Sequence, residues 1–297
     1  MKFFRKRPIQ QKKTETADTR PTLPSGRTAG FPSLLAQVPP GLTVAKASHI
    51  GQIRERNEDA FVAIDCMCYG NSEAFPLGLY IIADGMGGHK KGEIASALAA
   101  QVAANHIVQD VFIPFLCNQQ PSSQSRPINE ALVNAVEAAN LAVCRDTPEG
   151  GTTLTVALIL HHKVYLAHVG DSRAYVLTKE TLRQLTQDHS LVARLADLGE
   201  GTPEEAMAHT SRSILYRAVG QTDSVEVDTC SLDLPAGSCI LLCSDGLWDK
   251  VPDNEMLDTL MSAASPQAAI DRLVALANQN GGDDNITAIL VTRSAHS

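Results

Sequence analysis

Four aspartates stand where apolar runs end or begin: Asp84 in GLYIIADGMGGH, Asp171 in VYLAHVGDSR, Asp245 in SCILLCSDGLWD and Asp284 in GGDDNITAILV. A carboxylate at the mouth of a buried strand is costly to desolvate without a compensating charge. Four of them, two in near-identical strand-Asp-Gly settings, point to one site for hard cations with oxygen ligands. A further segment, GQIRERNEDAF, places Arg54, Glu58 and Asp59 just ahead of another strand-like run. An arginine beside carboxylates is ordinarily a salt bridge. Where divalent ions hold the carboxylates, its guanidinium is free to grip phosphate through two parallel hydrogen bonds. An Asp-Gly dipeptide after a strand is ordinarily hairpin chemistry. Here LYIIA before Asp84 is continuously apolar, and a helical pattern rather than a returning strand follows GMGGH. Gly85, Gly87 and Gly88 then serve to bend the backbone and let a carbonyl approach a metal.

These residues need a scaffold. Strand-like runs cover 42–49, 60–65 and 78–83. Helical patterns follow over Lys91 to Phe112 and Ile128 to Arg145, separated by a PSSQSRP loop. Strands return at 152–160, 163–169, 172–178, 224–232 and 238–244, then short helices at 253–263 and 266–279 and a last strand at 286–292. Hairpin-linked strands around grouped helices predict an α+β layered fold with antiparallel sheets. No internal repeat, regular βαβ alternation or P-loop is visible. Residues 187–222 interrupt the strands and read as two short helices with Gly and Thr-Pro breaks. Such an excursion is either a flap over the site or a surface insertion.

Residues 1–40 differ from the rest. A basic cluster (Lys2, Arg5, Lys6, Arg7, Lys12, Lys13) leads into a Pro/Thr/Ser/Gly stretch ending at Pro40. A disordered tail and linker is expected there, with the globular domain over 41–297. The tail is either simply solvated or a tether to an acidic partner or a membrane surface.

With 297 residues, 44% of them hydrophobic and 20% charged, the chain has ample material for a core. A net charge of −8 argues against a general nucleic-acid binder. Seven cysteines without a C-x-x-C pair argue against a disulfide framework or a structural zinc site. No stretch of 18 or more apolar residues marks a transmembrane helix, and the basic start lacks the apolar run of a secretory signal. A cytoplasmic protein, with a monomer as the default, is expected.

Together the motifs RERNED, ADGMGGH, EGGTTL, VGDSRAY, CSDGLWD and GGDDNIT, in that order, resemble the metal-dependent protein phosphatases of the PP2C (PPM) family, bacterial branch. The resemblance covers residues 43 to 293. It implies a four-layer α-β-β-α sandwich, two antiparallel sheets flanked by helices, with a helical flap. It implies hydrolysis of phosphoserine and phosphothreonine on proteins, opposing serine/threonine kinases. By that resemblance Asp84 bridges two Mn²⁺ or Mg²⁺ ions, with the Gly85 carbonyl on the second. Asp245 and Asp284 complete the first. Glu58 and Asp59 act through water, Asp171 and Asp245 form a third, weaker site, and Arg54 binds the substrate phosphate. Paired divalent ions about 3.5–4 Å apart activate a water for in-line attack on phosphorus, with no covalent phosphoenzyme.

Met86 stands where many eukaryotic members carry a histidine proposed as general acid, so a water protonates the leaving group. His89, His168, His189 and His209 are read as packing or hydrogen-bonding residues, Asn285 and Asp249 as supporting, Asp283 as exposed. The alternative is a non-catalytic phosphoprotein-binding module on the same scaffold. A narrower reading is a phosphatase restricted to anti-sigma-pathway proteins.

Overall fold

The computed structural model describes residues 41–70, 73–87, 91–117, 127–197 and 214–294. The expected tail (1–40), the middle of the expected flap (198–213), His89 and His209 lie outside the described residues.

The chain opens with β1 (Gly41–His49), β2 (Asp59–Gly70) and β3 (Glu73–Met86). Helix α1 (Lys91–Ile107) runs through a π-helical turn at Val108–Phe112 into α2 (Ile113–Leu116), and α3 (Ile128–Asp146) follows. Next come β4 (Gly151–Thr152), β5 (Leu154–Leu160), β6 (Lys163–Val169), β7 (Arg173–Thr178) and β8 (Thr181–Gln184). After α4 (Leu191–Asp197) come β9 (Asp228–Asp233), β10 (Cys239–Cys243), α5 (Asp245–Trp248), α6 (Asp253–Ser262), α7 (Pro266–Gln279) and β11 (Ile286–Ser294). One sheet has the order β1-β11-β10-β7-β8 and the other β2-β3-β5-β6-β9, with β4 on β3. The named pairings are antiparallel.

Period-two alternation explains the layers, because successive strand side chains point to opposite faces. In β3, Leu77, Leu79, Ile81 and Ala83 pack against the alanines of α1 and against Val136 and Val143 of α3. Tyr80 and Ile82, on the other face, meet Ile240, Leu242, Ile289 and Val291 of the second sheet. The far face of that sheet, through Leu241, Cys243 and Leu290, packs on Met256 and Leu260 of α6 and Ile270 and Leu273 of α7. Three cores between four layers make the α-β-β-α sandwich. A strand buried on both faces must be apolar without interruption, and Leu154–Leu160 is such a run, buried throughout. Small alanines at 95, 99, 100, 103 and 104 let α1 sit close to sheet and α3 alike.

Several boundaries differ from expectation. The hairpin β2–β3 is longer, paired from Asp59↔Asp84 to Gly70↔Glu73. The run 152–160 breaks at Thr153, whose backbone N–H turns to the Asp84 carbonyl. Strand β9 starts at Asp228 rather than 224, where its pairing with β6 begins at His168. The edge strand β8 and the single helical turn α5 were not foreseen. Within 187–222 the described portion holds one helix, α4, followed by isolated bridges Ser190↔Leu215 and Thr152↔Val219. Among the described residues no helix is long and apolar enough to cross a membrane.

Candidate metal centre

The same alternation aims the carboxylates. Phe61 and Ile82 face the space between the sheets. Two residues on, Asp59 at the start of β2 and Asp84 near the end of β3 keep that face and stand opposite each other in register. From the second sheet, Asp245 follows β10 directly and Asp284 stands two residues before β11, at the same end because Cys243 pairs with Ala288. Asp171 lies in the short link that carries the chain from β6 of one sheet to β7 of the other. The site is thus the open end of the inter-sheet core, fed by both sheets.

The carboxyls of Asp59, Asp84 and Asp245 are buried together, Asp59 opposite Asp84 in register. Burial, and then the charges of Asp59, Asp245, Asp171 and Asp284, push Asp84 well above the usual carboxylate range. Asp245 is raised likewise by burial and by Asp171, Asp284 and Asp59. Asp59 is pushed up to about 6, chiefly by burial, with the hydroxyls of Thr287 and Ser244 pulling the other way. Asp171 is pushed up to about 7 by burial and by Asp188. Burial also raises Glu58, with the Arg54 guanidinium opposing it.

No group of three or more His, Cys, Asp or Glu side chains among the described residues is arranged ready to hold a metal ion. Two observations nevertheless fit the donor set to one. The buried Asp59 Oδ1 and Asp245 Oδ1 have no hydrogen-bond partner, a costly condition for carboxylate oxygens. The donors are all oxygens crowded with like charge, the arrangement that a hard divalent cation resolves. Arg54 meanwhile donates through Nη2 to Asp284 Oδ2 at 2.6 Å, the ordinary salt bridge of an arginine beside carboxylates without a metal.

Supporting residues hold the backbone. Thr153 Oγ1 accepts the Asp84 N–H at 2.9 Å, and Thr152 Oγ1 donates to the Asp84 carbonyl at 2.8 Å. This gives EGGTTL its role as a brace. Ser244 Oγ donates to Asp59 Oδ2 at 2.8 Å across the sheets. Asn285 Oδ1 accepts the Glu58 N–H at 2.7 Å, while its Nδ2 donates to the Ile50 and Arg56 carbonyls at 2.8 Å each. The whole RERNED loop therefore hangs on Asn285. Each Asp-Gly glycine is required by close backbone approach. A Cβ on Gly85 would come within 2.3 Å of the Gly92 carbonyl oxygen, and one on Gly246 within 2.1 Å of that of Asn285.

On the Asp171 side, Trp248 Nε1 donates to the Asp171 carbonyl at 3.0 Å. Arg173 lies 3.6 Å over the Trp248 ring and pairs with Asp188 at 2.7 Å. His168 is buried, bonded to Thr155 and the Gln187 carbonyl, and burial pushes it down to about 3. His189 Nδ1 accepts the Gly170 N–H and its Nε2 meets Asp228, so both histidines are packing groups as expected. Asp283 is exposed and paired with Lys250, which also lies 3.5 Å from Asp249. Sequence reading missed Ser244, Thr287, Thr153 and Asp188. For Ser244, the alternation continued from Leu242 was the available signal.

A model of the family described as Protein phosphatase 2C matches residues 47–290. The serine/threonine phosphatase Stp of Listeria welshimeri is 38% identical over 248 residues, covering 82% of this chain and 93% of that protein. The crystal structure of the Mycobacterium tuberculosis serine/threonine phosphatase PstP/Ppp superposes with a TM-score of 0.68 at 34% identity, over 85% of this chain and 99% of that one. The PstP catalytic domain in complex with two manganese ions gives 0.65 at 33% identity, over 84% and 97%. The chain belongs to the protein phosphatase 2C family. As a member of it, the chain is a bacterial-type serine/threonine protein phosphatase. Its named relatives are phosphatases, which leaves the non-catalytic alternative without support.

Proposed function

We propose that Asp84, the Gly85 carbonyl, Asp245 and Asp284 hold two divalent ions, Mn²⁺ or Mg²⁺, with Glu58 and Asp59 binding through water. The observation that carries this reading is the buried contact of Asp59, Asp84 and Asp245, whose main electrostatic neighbours are further carboxylates. Held by these residues, divalent ions would offset that charge and supply Lewis-acid polarisation of a phosphoryl group and of an attacking water. Arg54 takes the substrate phosphate through paired N–H donors, releasing Asp284 to the ions. Asp84 stays fixed through this exchange because Thr152 and Thr153 hold its backbone on both sides. Met86 carries no proton to give, and His168 and His189 are committed elsewhere, so the leaving oxygen takes its proton from water. Asp171 with Asp245 holds a third, weaker ion.

The substrates are proteins phosphorylated on serine or threonine, and the enzyme opposes a kinase of the same specificity. It acts as a cytoplasmic monomer, and the basic cluster of Lys2, Arg5, Lys6, Arg7, Lys12 and Lys13 is either solvated or a weak tether to an acidic partner or a membrane surface. The test is Mn²⁺-dependent release of phosphate from p-nitrophenyl phosphate and a phosphothreonine peptide, lost in Asp84→Asn and in Asp245→Asn. Undiminished turnover in both variants, or none with any divalent ion in the wild type, would overturn the reading.

A further inference from the structure

Ile53, the neighbour of Arg54, is 70% exposed, more than any other large hydrophobic residue among those described. A lone exposed isoleucine is ordinary on a protein surface. This one sits on a loop that cannot fold it inward. Gln52 N donates to the Gly282 carbonyl at 2.7 Å, and its side-chain Nε2 to Asn278 Oδ1 at 3.0 Å. Asn285 holds the carbonyls on either side, at Ile50 and Arg56. Gly51, at φ +85°, lies so close to the Asp284 carbonyl oxygen that a Cβ would come within 2.2 Å of it. Ile50, also exposed, adds apolar surface on the same loop.

We propose that Ile53 is a specificity-determining residue that contacts the side chain flanking the phosphorylated serine or threonine and favours an apolar one. The inference rests on Arg54 holding the phosphate. Adjacent Cα atoms lie about 3.8 Å apart, and an extended peptide advances about 3.3–3.6 Å per residue. A residue flanking a phosphate held on Arg54 would thus lie within one or two residues' reach of Ile53, the contact on which the proposal turns. A β-branched side chain on a pinned backbone loses little freedom on contact, so the burial of apolar surface is retained as affinity. Ile53 packs into none of the three cores. Replacing it therefore tests contact rather than folding.

The experiment measures kcat/KM of the full chain with Mn²⁺ on paired phosphothreonine peptides carrying leucine or asparagine at the positions adjoining the phosphothreonine. Turnover of p-nitrophenyl phosphate, which has no flanking residue, is followed separately. The wild type is expected to favour the leucine peptides by about 5–10-fold, mainly through KM, and Ile53→Ser to reduce the preference to about one. Ile53→Val should keep most of it. A wild type that hydrolyses p-nitrophenyl phosphate without any leucine preference, or an Ile53→Ser enzyme that keeps the preference, overturns this inference alone. A wild type inactive on every substrate removes the phosphatase reading and this inference with it.

Discussion

Asp59 and Asp84 face each other in register across β2 and β3, both turned toward the space between the sheets. Two carboxylates so placed cannot both ionise without a counter-charge. In Asp84→Asn the repulsion is relieved, but the carboxylate proposed to bridge the two ions is lost. The metal-free variant should therefore melt at a higher temperature than the wild type, while its phosphatase activity falls by more than about 100-fold, the upper range for losing even an outer-shell partner. Thermal melts in EDTA beside activity assays with Mn²⁺ check both halves. An EDTA melt below that of the wild type would contradict the repulsion.

The same crowding fixes a pH dependence. Asp59 is raised from 3.8 to about 6 and Asp171 from 3.8 to about 7, with Asp84 and Asp245 also raised well above the usual range by burial and by their acidic neighbours. Between the ordinary and the folded values the unfolded chain binds fewer protons than the folded one, so stability falls as pH rises. His168 works oppositely, since its value drops from 6.5 to about 3 and it adds stability as pH climbs through that window. His189, lowered chiefly by burial, acts in the same sense; both contributions level off within about a pH unit above 6.5, while the loss from the several raised carboxylates continues. The metal-free protein should thus melt lower at pH 8 than at pH 6.5. Mn²⁺ at 100 times its Kd adds about 2.7 kcal/mol. For a domain of this size that is about 5–10 °C in Tm. Calorimetry at the two pH values, with and without Mn²⁺, reads the effect.

Asn285 holds Glu58 and, through it, the loop of Arg54. Asn285→Ala strands one N–H and two carbonyls. Leaving buried groups unpaired costs about 1–3 kcal/mol each, so a loss of about 2–3 kcal/mol overall is expected where water recovers part of it. Because the loop carries Arg54, the proposed phosphate ligand, KM for a phosphopeptide should rise as well. A melt and a Michaelis series on Asn285→Ala test this, and an unchanged KM would separate the loop from substrate binding.

Much of this was legible beforehand because it is local. The strand-end aspartates, the continuous apolar runs and the Ala-rich helix each announce themselves within a dozen residues. The four layers follow once both faces of β3 must be apolar. The remainder depends on distant chain. Nothing around Asn285 foretells that its side chain reaches the carbonyls of Ile50 and Arg56, and Ser244 reads as a strand-end serine until Asp59 is set across from it. The edge strand β8, with the sequence TLRQ, carries too little apolar pattern to declare itself. The Arg54–Asp284 pair, with both side chains at the same exposed end, joins positions 230 residues apart, which no local pattern announces.

Asp171 is the separable member of the cluster. It belongs to the link between β6 and β7, whereas Asp84 and Asp245 are in mutual contact. Asp171→Ala should lower turnover while two Mn²⁺ ions per chain still bind, as equilibrium dialysis would show. Loss of all binding in that variant would mean the three positions form one indivisible site.

Trp248 is the only tryptophan in the chain, and its indole N–H is bonded to the Asp171 carbonyl while Arg173 covers its ring. Indole emission responds to hydrogen bonding and to nearby charge. The molecule therefore carries its own optical gauge at the edge of the carboxylate cluster, and occupancy changes beside Asp171 can be followed in real time, label-free, from the colour and yield of one fluorophore.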